Sequence, residues 1–581
     1  MKDANPPIAT AETFPQESPA PWHVSTQVPW WSLVVVGLAG MLGLGLLIDS
    51  INRNSATYDE VTYLKVAAQW WRTGQQSEIS EMGSPLLFWK LQQAPLLWIL
   101  DHSGHRAWVD DPITYQSQLL PLARLASLWI WGVAWVLTVD WSRRLYGPRA
   151  MALASILFVL SPNLLAHGAL ITMEMPLTAA TTGLVLLFWH FLRTGDRRAF
   201  WGSAVVAGLA WSCKYTTVVF PPMLGLVWWI DRWRGGERRP LWLTFQVARD
   251  MAGFLLVMGL ANLIFTGFAL LPFDTSNQEH QTLKKAVGAT LWPWVHRGLR
   301  LPIPQELVGF ANQLARQRVG GPSYLFGERR MTGWWYYYFV TLAVKVPLAF
   351  WVLFGSRIVL RRRAEVSDRS WILPALFTMY LAITALGSSR NYGIRYLLPL
   401  APLAIVWVSA LAEGGALRWA RGLAVIGVAG QAIAVASVHP YELTYFNIVA
   451  GGPTEGRYIL ADSNLDWGQG LKALARLQRQ DPIYRDLTLF YFGDTEPRHY
   501  DVAGTHYLIT AVSLPPNLPE HLSATTEFIG VSASLQWGPW GPDDYFQPLE
   551  GVSPVRMTDD QTIAIYRTSD LPEHGTRSSH D

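Results

Sequence analysis

Asp59 and Glu60 stand side by side in Asn54-Ser-Ala-Thr-Tyr-Asp-Glu60, just after the first long apolar run of the chain. A carboxylate there can take a proton from an incoming hydroxyl or help to hold a divalent cation. Two acids after an apolar helix are equally a solvated cap. A third carboxylate, Glu174, follows His167 by seven residues and opens another apolar run, where the helix dipole alone would favour an acid. Cations return to the same kind of place. Lys214 lies between two apolar runs, Lys345 is about ten residues inside the run that begins at Trp334, and Arg390 and Arg395 flank Asn391-Tyr392 in a short turn. An ammonium at such a depth snorkels to the interface or meets an anion, and a guanidinium fork suits a pair of phosphate oxygens. Such a set is able to neutralise a departing phosphate while a carboxylate deprotonates a hydroxyl.

The elements that must position these residues are membrane helices. Hydrophobic residues make up 50% of the 581, charged residues only 15%, and there are 30 Trp, a balance foreign to soluble domains of this length. Trp pairs such as Trp30-Trp31, Trp228-Trp229 and Trp334-Trp335 lie at the ends of apolar runs, as in interfacial belts. The formal charge of +3 and the lack of a dense basic run give no reason to expect a nucleic-acid partner. One cysteine, Cys213, leaves no disulfide within the chain and no cysteine metal cluster.

Residues 1–28, polar and rich in Pro, predict a disordered cytoplasmic tail, and the first span is expected at about Trp30–Ile48. Further runs at about 119–139, 150–167, 174–192, 199–213, 215–230, 247–271, 334–356, 371–387, 394–411 and 422–438 bring the expectation to about eleven spans. Arginines concentrate in every second loop, at 143–149, 193–198, 232–239, 357–369 and 418–421. The positive-inside rule therefore puts those loops in the cytoplasm and the acidic pair outside. The first external loop, 50–118, holds two amphipathic stretches, Val61–Trp71 and Leu86–Leu100, and 272–333 is expected to form a short helical lid. From His439 the composition becomes that of a soluble domain. Strands are predicted at Tyr458–Ala461, Leu487–Phe492, Tyr507–Val512 and Thr562–Arg567, with a helix at Trp467–Gln480. The expected fold is thus a polytopic α-helical membrane protein, residues 29–438, with a small extracytoplasmic α/β domain at 439–581.

Several of these segments, in this order, resemble the phospholipid-carrier-dependent glycosyltransferases of the C fold (GT-C), the group that includes protein O-mannosyltransferases and aminoarabinose transferases. They are Tyr58-Asp59-Glu60, His167 through Glu174-Met-Pro176, Gly208 through Lys214-Tyr215, Gly333 through Lys345-Val-Pro347 and Asn391 through Arg395 to Pro399. Tyr441–Asn447, Ala450–Pro453 and Asp462 through Asp466 to Gln469 extend the likeness. Two features depart from the pattern. Glu174 stands where Asp is usual, and Gly83-Ser84-Pro85-Leu86 replaces a His-Pro-Pro-Leu, with its lysine displaced to Lys90.

The resemblance implies an integral membrane protein, in a bacterial inner membrane, that transfers a sugar from a polyprenyl-phosphate donor to an unknown extracytoplasmic acceptor by inverting displacement. In it Asp59 is the base, with Glu60 and Glu174 as supporting carboxylates or ligands of an optional divalent metal. Lys90, Lys214, Lys345, Arg390 and Arg395 bind the donor phosphate, and Tyr58, His167 and Asn391 accompany them. Asp462 and Asp466 are expected to be structural or to face the acceptor. A flippase for lipid-linked sugars and a non-catalytic scaffold are the rival readings. A flippase should show repeated halves and interrupted helices.

Overall fold

A computed structural model describes residues 28–74, 87–272, 284, 288, 290–360, 369–413, 418–509, 526–541 and 545–571. The tail expected at 1–28 lies, but for its last residue, outside the described residues. Helices α1 (Trp30–Arg53), α4 (Gln116–Tyr146), α7 (Glu174–Thr194) and α10 (Pro240–Phe265) are long and apolar enough to cross a membrane. Between α1 and α4, helices α2 (Tyr58–Thr73) and α3 (Leu87–His102) form the loop that the amphipathic stretches predicted. Arg72 clamps this loop by donating to both oxygens of Asp101, at 2.6 and 2.7 Å.

Two expected spans are broken. Helices α5 (Pro148–Val159) and α6 (Pro162–Gly168) meet at 63°, and α12 (Tyr337–Lys345) and α13 (Leu348–Val359) at 108°. In each case a proline disfavours helical backbone at the residue before it: Ser161 has ψ 112° and Val346 has ψ 133°. Pro221 and Pro222, by contrast, begin α9 (Phe220–Arg234), where their missing N–H groups cost nothing. With α8 (Arg197–Trp211), α14 (Ile372–Gly387), α15 (Leu400–Ser409) and α16 (Arg418–Ala436), every predicted run contains a helix. By length and composition alone, however, four helices among the described residues are long and apolar enough to cross a membrane, or up to six if each bent pair counts as one span.

The break at Val346 frees carbonyl groups that would be costly in a bilayer. Asn447 Nδ2 donates to Ala343 O at 2.6 Å and to Val346 O at 2.9 Å, and Asn163 Nδ2 donates to Lys345 O at 2.7 Å. At the far end of the bundle, loops sharing the arginine pattern touch each other. Arg369 pairs with Asp231 at 2.9 Å, and Glu413 accepts from the Arg149 amide at 2.8 Å.

Within 272–333, where a helical lid is expected, the described residues include helix α11 (Gln305–Val319) and two short antiparallel pairs: β1 (Leu270–Pro272) with β2 (Pro302–Pro304), and β3 (Ser323–Leu325) with β4 (Glu328–Arg330). After His439 come helix α17 (Leu471–Gln480) and strands β5 (Leu487–Phe492), β6 (Thr505–Ile509), β7 (Phe528–Ser532), β8 (Arg556–Met557) and β9 (Ile563–Arg567). They form one sheet of order β6-β5-β7-β9-β8, with β5 parallel to β6 and β7 and the other pairs antiparallel. The strand predicted at Tyr458–Ala461 is instead a turn, because the amides of Ile459 and Leu460 both bond back to Gly456 O at 2.9 Å. The sheet region is joined to the first loop through its backbone. Ser55 N donates to Gln469 O at 3.1 Å, Tyr58 N to Trp467 O at 2.8 Å, and Leu471 N to Ser55 Oγ at 3.0 Å.

Candidate active site

Thr57 caps α2, and its amide and hydroxyl both donate to Glu60 Oε2 at 3.0 Å, closing a capping box. Glu60 is completely buried. Its Oε1 accepts from Arg124 Nε at 2.9 Å and from the Ile171 amide at 3.0 Å, and its Oε2 accepts from Arg124 Nη2 at 2.6 Å. Arg124 also donates to Asn54 O at 2.9 Å and Ser55 O at 2.8 Å. The second acid of the pair therefore anchors the loop and does not line the cavity, which departs from the catalytic or metal-binding part expected of it. Arg124 was missed in the sequence, although a lone arginine inside the apolar run 119–139 is a signal of a buried partner.

A helix advances about 100° per residue, so fixing Glu60 inward turns Asp59 to another side. Asp59 faces a cavity of about 1390 Å³, counting its open mouth, together with Glu174, Lys214, Arg390, Tyr392 and Arg395. Two ion pairs cross it. Arg395 Nη1 donates to Asp59 Oδ2 at 3.0 Å, and Lys214 Nζ donates to Glu174 Oε1 at 3.0 Å. The other Glu174 oxygen, Oε2, is buried without a hydrogen-bond partner among the described residues. Both cations rest on aromatic faces, Lys214 at 4.2 Å from the Tyr396 ring and Arg395 at 4.3 Å from the Trp467 ring. Residues of α11, Phe310 and Gln313 among them, form part of the wall. Burial pushes the Asp59 carboxyl above its ordinary range, Arg395 pulls it down, and the neighbouring Glu174 and Asp462 charges push it up again. A raised carboxyl is a stronger base once ionised.

The other predicted residues are placed differently. Lys345 does not line this cavity. It is buried and donates to Leu443 O at 2.9 Å and Asn464 O at 2.6 Å. Asn391 is likewise internal, its Oδ1 accepting from the Trp334 amide at 2.6 Å. His167 is fully buried with its ring 6.4 Å from that of Trp467, and neither ring nitrogen has a hydrogen-bond partner among the described residues. Tyr58 turns toward the sheet region and stacks on Phe492, centroids 5.5 Å apart. Lys90 falls on α3, among residues whose side chains lie outside the described set. Asp466 accepts from the amides of Gly468 at 3.0 Å and Ser534 at 2.9 Å, and Asp462 Oδ1 accepts from Trp540 Nε1 at 2.8 Å.

A divalent metal does not fit the ligands proposed for it. Glu60 has both oxygens engaged elsewhere, Glu174 is paired with an ammonium, and no group of three His, Cys, Asp or Glu suited to a metal occurs among the described residues.

Residues 118–248 match the family described as dolichyl-phosphate-mannose-protein mannosyltransferase. The likeness to GT-C glycosyltransferases is found there. The matched stretch begins at α4 and carries Arg124, Glu174 and Lys214. No curated protein sequence matches the chain. Among solved structures, ArnT from Cupriavidus metallidurans in the apo state aligns at 13% identity and a TM-score of 0.46, over 94% of this chain and 99% of that one. The same protein bound to undecaprenyl phosphate aligns at 12% and 0.46, over 93% and 98%. Superpositions this loose transfer no residue roles, so the assignments rest on the geometry of this chain.

Proposed function

We propose that the chain is an integral membrane glycosyltransferase that moves a hexosyl or pentosyl group from a polyprenyl-phosphate donor to a hydroxyl acceptor outside the cytoplasm. The observation that carries this reading is the pair of carboxylate–cation contacts facing one cavity, Asp59 with Arg395 and Glu174 with Lys214, each at 3.0 Å. Both cations are held by carboxylates that a donor phosphate can replace. When the phosphate takes Arg395, it removes the contact that pulls the Asp59 carboxyl down, and the freed carboxylate becomes more basic as the donor is seated. The acceptor oxygen then attacks C1 of the sugar, and its proton passes to Asp59. The C1–O bond breaks with its electron pair leaving on the polyprenyl phosphate, whose charge Arg395, Lys214 and Arg390 balance. One displacement inverts the configuration at C1. Glu174 orients the acceptor through its open Oε2.

The broken helices α5/α6 and α12/α13 favour a second reading, a flippase for the same lipid-linked sugars. Against it, the carbonyl groups freed at Val346 are bonded to the Asn447 and Asn163 side chains and not turned to a polar passage. Labelled polyprenyl-phosphate-sugars offered to the reconstituted protein separate the readings. Label appearing on an acceptor supports transfer, movement across the bilayer without transfer supports a flippase, and neither supports a scaffold. The orientation rests on the arginine-bearing loops. A periplasm-dependent reporter fused after Val438 should be active and one within 231–240 silent, and the reverse result would put the cavity on the wrong side for a flipped donor.

A further inference from the structure

Helix α17 carries Lys472, Arg476 and Arg479 on one stripe, at successive spacings of four and three residues. Its other face buries Leu471, Leu474 and Leu477 in the sheet region. The basic stripe lines a cavity of about 930 Å³, counting its open mouth, which is separate from the one holding Asp59. The remaining wall includes Asn52 and Arg53, in the last turn of α1, and Ser117 and Gln118, in the first turn of α4. Both helices are long and apolar enough to span. The cavity therefore sits at the depth where two spans leave the hydrocarbon, the level of lipid headgroups.

Charge decides the class of ligand. Arg53, Lys472, Arg476 and Arg479 share the wall with one carboxylate, Asp501. At its margin Arg53 stands 3.4 Å from the exposed Asp49, and Arg476 donates to Tyr441 Oη at 2.6 Å and lies 3.8 Å from Asp559. Lys472 gives a hydrogen bond to Asn52 O at 3.1 Å, which leaves two of its protons for a ligand. Below the cavity, α1 exposes Leu38, Met41, Leu42 and Ile48, a surface on which acyl chains can lie. We propose that this cavity binds the phosphate of an anionic lipid headgroup in the leaflet on the side of the sheet region. Lysine and arginine at headgroup depth each attract anionic lipid by about 1 kcal/mol, or about fivefold. This site stands independently of the transfer reaction.

The full chain in nanodiscs of phosphatidylcholine, with or without phosphatidylglycerol, tests it by native mass spectrometry of retained lipid. The parent should retain phosphatidylglycerol selectively. Lys472→Gln with Arg476→Gln should reduce that selectivity by roughly 25-fold, and Arg479→Gln, at an exposed position that leaves folding intact, by about fivefold. Equal retention of the two lipids by the parent, or unchanged selectivity in Arg479→Gln and the double variant, would overturn the proposal. So would inorganic phosphate alone reproducing, in phosphatidylcholine discs, the thermal stabilisation given by phosphatidylglycerol, because the site would then serve a free anion. If the double variant fails to fold, Arg479→Gln and Arg53→Gln decide between these outcomes.

Discussion

Lys214 and Lys345 are both lysines at the ends of apolar helical segments, and their surroundings give them opposite duties. Lys214 meets a carboxylate at 3.0 Å and an aromatic face, beside an open cavity. Lys345 ends α12 at a break and donates to carbonyl groups 98 and 119 residues away, in the chain segments that close over it. The first contact is a charge pair that an anion can replace. The second is a set of hydrogen bonds that holds two segments together, with the ammonium enclosed. The adjacent acids divide in the same way: Asp59 is turned to the cavity, and Glu60 is locked inside by Arg124. A polar residue at membrane depth is thus read by what its partners leave available, and not by its type.

The largest expected effect is at Asp59. Asp59→Asn keeps size and most hydrogen bonding but cannot take a proton, so transfer should fall ~10²–10⁴-fold with expression and insertion unchanged. Near-parental turnover, with Glu174→Gln inactive, would move the base to the other carboxylate. Glu60→Gln should break the comparison from its other side. It strips the charge from a buried pair whose disruption costs about 3–5 kcal/mol. Less folded protein and a lower thermal midpoint are expected, and a combined Arg124→Met should recover part of the loss. If Glu60→Gln folds normally and only turnover suffers, the division between the two acids is wrong.

Smaller effects should separate the lysines. Lys214→Gln is expected to raise the donor KM about 10- to 100-fold, the worth of a hydrogen bond to a charged group, and to lower the thermal midpoint as well because buried Glu174 loses its cation. Lys345→Met should leave the KM near parental while stability drops by about 1–3 kcal/mol as two buried carbonyl groups lose their donor. A donor KM that moves equally in both variants would erase the distinction. The mildest test is pH. Because the Asp59 carboxyl is raised, the free enzyme should lose kcat/KM as pH falls through a pKa above the usual carboxylate range, and not only below pH of about 4. An acid limb at the ordinary carboxylate value would remove burial as its cause.

Much of the architecture was legible. Apolar runs located the helices, strands β5 and β9 fell within the stretches predicted for them, and Asp59, Glu174, Lys214, Arg390 and Arg395 do meet at one cavity. What escaped depended on long-range partners. Glu60 looked equivalent to Asp59 because sequence adjacency says nothing of facing, and its partner is 64 residues away. Pro162 interrupts the run that bends at Ser161, but the bend at Val346 was hidden inside a run that hydropathy reads as continuous, although Pro347 marks it. Tyr458–Ala461 has the composition of a strand, but its amides are taken by the preceding short helix before a neighbour can pair with them.

The backbone bonds from Ser55 and Tyr58 to Gln469 and Trp467, with Ser55 Oγ receiving the Leu471 amide from 416 residues further on, have a consequence in time. A chain made from its N-terminus produces the Asp59 loop early, yet the residues that back this loop emerge only after the whole helical bundle has been synthesised. During that interval the loop lacks its support and Arg395 the Trp467 ring on which it rests. Synthesis itself therefore imposes a delay: the protein acquires its working geometry in one late docking event, after the bundle it serves is already in place.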